Sequence, residues 1–184
     1  MEDLSLHMLD IMENSIDAGA HRIEVRIDED PERDLLTLDF KDDGRGMDAQ
    51  TLQRATDPFF TTRKTRSVGL GLSMLSESAK ATGGTMIVES SPGEGTRVRA
   101  TFRPGHIDMK PLGDIPQTLL TLIAGHPEIE LRYDHAIAGE TFTFDTRELR
   151  DELGPLPAAA AWRIGERIRK GLEQLARRAK HTGG

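Results

Sequence analysis

Asp10, Asn14 and Asp17 stand four and three residues apart near the start of the chain, on a stripe that His7 and Glu13 share. A carboxylate in such a row can take a proton from water, and an amide oxygen can join the shell of a hard divalent cation. Further on, Asp42-Asp43-Gly44-Arg45-Gly46-Met47 carries glycines that let a planar ligand approach the backbone closely. A third stretch, Ser67-Val68-Gly69-Leu70-Gly71-Leu72-Ser73, opens an apolar helix directly after a loop containing Arg63, Lys64 and Arg66. Backbone N–H groups at a glycine turn, a helix N-terminus and nearby cations are what a polyphosphate needs. Each feature also has a plain structural reading. A polar stripe is usually a solvated helix face, a glycine turn after a strand is common, and basic loop residues usually meet only water.

These residues need elements to hold them in place. Leu4, Met8, Leu9, Ile11, Met12 and Ile16 recur at helical spacing, so residues 4–18 are expected to form a helix with one apolar side. Ile23, Val25 and Ile27 alternate, as do residues of 35–40, giving an antiparallel hairpin around the polar turn 28–34. Residues 48–55 fit a short helix and 71–81 a longer one, ended by Thr82-Gly83-Gly84. Strands over 85–90 and 96–102 flank Ser91-Pro92-Gly93-Glu94-Gly95. The expected fold class is α+β, a two-layer sandwich of a mixed sheet covered by helices.

Composition narrows the function classes. The chain has 184 residues, 36% of them hydrophobic, and a formal net charge of -7, which disfavours wholesale nucleic-acid binding. There is no cysteine, so disulfides, thiolate clusters and a cysteine nucleophile are excluded. No apolar run approaches the roughly 20 residues that span a bilayer, and the first residues lack a signal-peptide pattern. A cytoplasmic protein without membrane partners is expected.

In order, Asp10-x-x-x-Asn14, Asp43-Gly44-x-Gly46, Asp57-Pro58-Phe59-Phe60 and Gly69-Leu70-Gly71-Leu72 resemble the boxes of the gyrase, heat-shock chaperone, histidine kinase and mismatch-repair ATPase superfamily, whose architecture is the Bergerat fold. Residues 58–84 and 93–96 look most like histidine kinases, and residues 13–20 are similar to mismatch-repair ATPases. The resemblance implies ATP and Mg²⁺ as ligands, with Asn14 on the metal, Asp43 on the adenine amino group, and Thr96 supporting that aspartate. It implies that Gly44 and Gly46 shape the base pocket, that Gly69 and Gly71 line the phosphates, and that Lys64 and Arg66 close over them. Contacts from Asp17, Met47, Phe60, Thr61, Leu70 and Leu72 follow from the same boxes. Asp10 stands where relatives carry a glutamate that activates water or an asparagine, so it is expected to act as a base with shortened reach. The separate helical domain that carries a phospho-acceptor histidine in complete sensor kinases is expected to be absent. The activity then lies between a slow ATPase, a histidine- or serine-directed protein kinase acting on a partner, and a non-catalytic ATP-dependent switch.

Residues 1–104 are expected to form the ATP-binding domain and 105–184 an α+β extension. In the extension, 115–124 reads as a helix, 129–133 and 141–144 as a hairpin around Gly139, 146–153 as a helix capped by Asp145, and 158–179 as a long helix. That last helix has an apolar stripe of Ile164, Ile168, Leu172, Leu175 and Ala179 among many Arg and Lys. It can pack at home, join a second copy of the chain as a homodimer, or meet an acidic protein partner or nucleic acid, although Trp162 alone does not make a nucleic-acid platform. Residues 142–149 are also similar to the tail of small ATPases encoded near iron-hydrogenase subunits.

Overall fold

In the computed structural model, residues 3–56, 70–154 and 161–182 are described. The expected elements form, in the expected order. Helix α1 spans Leu4–Asp17, strands β1 and β2 span Arg22–Asp30 and Leu35–Asp42, and helices α2 and α3 span Ala49–Thr56 and Leu70–Ala81. Strands β3 (Met86–Ser91) and β4 (Gly95–Phe102) follow, then α4 (Ile115–Gly125), β5 (Glu130–Ile137), β6 (Glu140–Asp145), α5 (Thr146–Leu153) and α6 (Ala161–Thr182).

Local chemistry sets several of these boundaries. Asp3 caps α1 by accepting from Leu6 N, Asp114 caps α4 by accepting from Gln117 N, and Asp145 caps α5 by accepting from Arg147 N. The two-residue β5–β6 turn has positive φ at both Ala138 and Gly139, the handedness that suits the twist of flanking strands.

The six strands form one sheet in the order β3-β4-β2-β1-β5-β6. All neighbours are antiparallel except β1 and β5, which run parallel, with Val25 opposite Tyr133 and Ile27 opposite His135. The sheet is therefore continuous across residue 104, and the β1 edge is covered by β5. A parallel neighbour cannot be reached by a tight turn, and the crossover here carries α4.

The helices lie in a row on one face, α3 beside α1, α1 beside α4, and α4 beside α6. Between the layers lie Leu4, Met8 and Met12 of α1, Ile23, Val25 and Ile27 of β1, Leu36, Leu38 and Phe40 of β2, and Leu119 and Leu122 of α4, all buried. Helix α6 buries Ile164, Ile168 and Leu175, so its apolar stripe packs at home against α4, β5 and β6.

The opposite face of the sheet carries alternating charge. One row across the strands reads Arg99, Asp39, Arg26, Asp134. Arg97 and Arg99 each reach Asp39 Oδ2 at 2.7 Å. Burial would raise the Asp39 carboxyl, but the hydrogen bonds from the two guanidiniums outweigh it and hold the group below the usual carboxylate range. A face so laced with charge exposes only Ile87 as a large apolar side chain among the described residues, too little for a third layer to bury, which accounts for the two-layer form.

Candidate functional site

Between α1, the β2–α2 connection and the end of β4 lies a cavity of about 350 Å³. Its apolar lining comes from Ile11 and Ala18 of the α1 segment, Leu72 of α3, Pro92 and Val98, and its polar lining includes Asn14, Ser15, Asp42 and Thr96. A mostly apolar cleft with a few converging polar groups is the usual form of a small-molecule site.

Asp42 is the charged centre of the wall and is 8% exposed. Its Oδ2 accepts from Ser15 Oγ at 2.7 Å, and its Oδ1 accepts from Gly44 N at 2.9 Å and Thr96 N at 3.2 Å. Three elements, α1, the β2 turn and β4, are thus organised around one carboxylate that also lines the cavity.

Asp43, expected on the base amino group, is placed elsewhere. Asp43 is exposed and does not line the cavity; its Oδ1 accepts from His21 N at 2.7 Å and Arg22 N at 2.9 Å, tying the turn to the start of β1. Burial pushes its carboxyl up, but the backbone N–H bonds from Arg22 and His21 prevail and leave it below the ordinary range. The reason is strand geometry. Leu36, Leu38, Phe40 and Asp42 are all buried at a period of two, so Asp42 continues the inward row and its neighbour must point elsewhere. That alternation is in the sequence, and extending it by one step identifies Asp42.

The other expected residues divide into groups. Asn14, Asp17, Gly46, Met47, Leu72 and Thr96 line the cavity together. Gly44 stands behind it, donating to Asp42. Gly46 has φ +67°, and a Cβ there would come within 1.9 Å of Ser91 O, so the turn admits no side chain. Asp10 is exposed and does not line the cavity, but it meets the first turn of α3, where a Cβ on Gly71 would fall 2.7 Å from Asp10 Cβ. The backbone of Leu70 begins α3. Phe60, Thr61, Lys64, Arg66 and Gly69 lie outside the described residues.

Two further features depart from the sequence reading. His7, expected on a solvated face, is 2% exposed, and its Nε2 lies 3.3 Å from Lys110 Nζ. Glu13 reaches across to the extension, its Oε2 3.1 Å from His126 Nε2 at the end of α4. Ser15, Arg45, Asp48 and Thr51, which also line the cavity, were not identified from sequence. Ser15 follows Asn14 on α1 and is buried, so only its partner Asp42 reveals its purpose.

The cavity fits an adenine nucleotide by its donor set: a buried carboxylate for an amino group, apolar walls for a planar base, and a glycine turn pressed against the strand ends. Among the described residues no cluster of three or more His, Cys, Asp or Glu could hold a metal on its own. The neutral oxygen of Asn14 fits Mg²⁺ when phosphates supply other ligands.

The profile described as "Histidine kinase-, DNA gyrase B-, and HSP90-like ATPase" matches residues 2–106. The chain is 44% identical over 77 residues to a "Putative sensor protein" of Shewanella frigidimarina, covering 41% of this chain and 12% of that protein. It is 38% identical over 87 residues to the "Sensor kinase CckA" of Brucella abortus, covering 47% and 9%. With the "Sensor histidine kinase YxdK" of Bacillus subtilis it shares 36% identity over 85 residues, covering 44% and 26%. The chain thus spans about a quarter or less of the length of these relatives. A solved structure, "Crystal Structure of N terminal domain of a DNA repair protein", superposes with a TM-score of 0.49 and 14% identity, covering 78% of this chain and 52% of that one. No helix among the described residues is long and apolar enough to cross a membrane. The match over more than half of the chain agrees with the sheet, the boxes and the cavity: this protein belongs to the histidine kinase-, DNA gyrase B- and HSP90-like ATPase family, with an ATP-binding domain of that type.

Proposed function

We propose that the protein binds Mg·ATP in the cavity around Asp42 and either hydrolyses it slowly or passes its γ-phosphoryl group to a partner protein. The observation that carries this reading is the single buried carboxylate held by Ser15, Gly44 and Thr96, with Asn14 on the same wall. Asn14 would hold Mg²⁺ through its amide oxygen, and the ion would neutralise charge on the phosphoryl group that bound ATP supplies. Asp42 accepts from the base amino group. Asp10, one helical turn before Asn14 and against Gly71, takes the proton from the attacking water or hydroxyl. Residues 1–104 serve as the nucleotide unit and 105–184 as the part that meets the partner.

A second reading, an ATP-dependent switch without turnover, is favoured by one contact. Helix α1 carries Asn14 toward the cavity and Glu13 toward His126 of the extension, so one rigid element touches both. The partner surface we favour is α6, which carries seven Arg and Lys against two Glu and exposes Trp162, so it suits an acidic protein segment. A cytoplasmic location is part of this proposal.

Incubation of the purified chain with γ-labelled ATP and Mg²⁺, with and without the proteins encoded beside its gene, separates the readings. Free labelled phosphate that disappears in Asp10→Asn supports hydrolysis. Label on protein supports transfer, and tight binding with neither supports the switch. Failure of the wild-type chain to bind ATP would refute the site.

A further inference from the structure

We infer that Ser90, which does not line the cavity, sets the direction of the hydrogen bonds on the base-binding wall and thereby its preference for a purine with a 6-amino group over one with a 6-oxo group. This deepens the nucleotide reading above and rests on it.

The argument is a count of hydrogens. Ser90 Oγ, on β3, lies 2.8 Å from Met47 N, 2.9 Å from Gly95 O and 2.9 Å from Thr96 Oγ1. Gly95 O can only accept and Met47 N can only donate. The one hydrogen of Ser90 therefore goes to Gly95 O, and its lone pairs take Met47 N–H and the Thr96 hydroxyl hydrogen. With the opposite sense, Ser90 Oγ and Gly95 O would face each other at 2.9 Å with no hydrogen between them. Only the first arrangement satisfies all three contacts.

The consequence falls on Thr96, which does line the cavity. Its single hydrogen is committed to Ser90, so it turns only lone pairs to a ligand. Asp42 beside it is also an acceptor, already holding Ser15 Oγ, Gly44 N and Thr96 N. Asp42 and Thr96 thus offer a base two acceptor atoms and no donor. A 6-amino group brings N–H donors to them. A 6-oxo group brings a carbonyl that neither can satisfy, and an unpaired buried acceptor is costly. Ser90 also fixes the backbone at Met47 on the far side of the glycine turn, so one hydroxyl links β3, the turn and β4. It is a positioning residue, acting through Thr96.

The test is calorimetric titration of the chain with ADP and, separately, with IDP, which differ at the 6-position. The wild type is expected to prefer ADP. In Ser90→Ala the Thr96 hydroxyl is released to donate into the cavity, and the ADP-to-IDP preference should fall by roughly fivefold or more. Ser90→Thr, which keeps the hydroxyl, should retain it. Ser90→Cys, a weak donor close in size, should show the same fall and serves if Ser90→Ala does not fold. Parallel weakening of both nucleotides, with the ratio unchanged, would overturn the inference while leaving the nucleotide site standing. A wild type that binds neither ligand would overturn the nucleotide reading itself.

Discussion

The cavity region and the β5–β6 region both bury polar groups, and they do so to opposite ends. Beneath α6, Tyr133 Oη lies 2.7 Å from His135 Nδ1, and His135 Nε2 lies 2.6 Å from Glu29 Oε1, so the three side chains satisfy one another across the parallel β1–β5 pair. Burial raises the Tyr133 hydroxyl well above its ordinary pKa, so it stays a neutral donor at physiological pH. Around the cavity, Asp42 accepts from Ser15, Gly44 and Thr96, and both Asp42 and Thr96 still face an open space of about 350 Å³. A buried polar group closed by its neighbours holds the fold together, whereas one left facing a cavity awaits a ligand.

That contrast predicts which substitutions break what. The largest effect is expected at Gly46→Val, where a Cβ would collide with Ser91 O at a positive φ. Stability should fall by about 2–4 kcal/mol in a denaturant melt, with nucleotide affinity lost as well. Next, His135→Ala leaves Tyr133 and Glu29 without their shared partner. A loss of about 2 kcal/mol is expected, with nucleotide affinity unchanged by calorimetry; a change in affinity would erase the distinction between the regions. The smallest effect belongs to the charged outer face, where Asp39 is 13% exposed at its side chain. Asp39→Asn should cost up to about 1 kcal/mol near neutral pH. Its folded carboxyl lies below the ordinary aspartate value of 3.8, so its contribution is present above that pH and is lost as pH falls through the folded value. The variant should therefore match the wild type in an acid melt carried well below pH 4.

Much of this was legible in the chain itself. The apolar spacing of Leu4, Met8, Ile11 and Met12 marks α1, and alternation in β1, β2 and β4 marks the strands, because burial on one face leaves a period that local sequence records. The Asp145 cap was readable for the same local reason. The pairing of β1 with β5 was not, since it joins segments separated by more than a hundred residues and leaves no period in either. Within the site, Asn14, Gly46 and Thr96 follow from box spacing, while choosing between Asp42 and Asp43 required carrying the β2 alternation to its last residue. Ser15 and Ser90 are visible only through their partners, because a serine that positions another side chain resembles any other serine in sequence.

The sharpest measurement is a pair of titrations with ADP and Mg²⁺, one on Asp42→Asn and one on Asp43→Asn, each with a denaturant melt. Asp42→Asn is expected to lower affinity by about a hundredfold or more, because the base amino group loses its carboxylate acceptor. Asp43→Asn is expected to retain binding and to lose about 1 kcal/mol of stability, since its carboxyl caps the His21 and Arg22 N–H groups. The reverse outcome, binding lost in Asp43→Asn and kept in Asp42→Asn, would contradict the placement of the base and with it the account of the site.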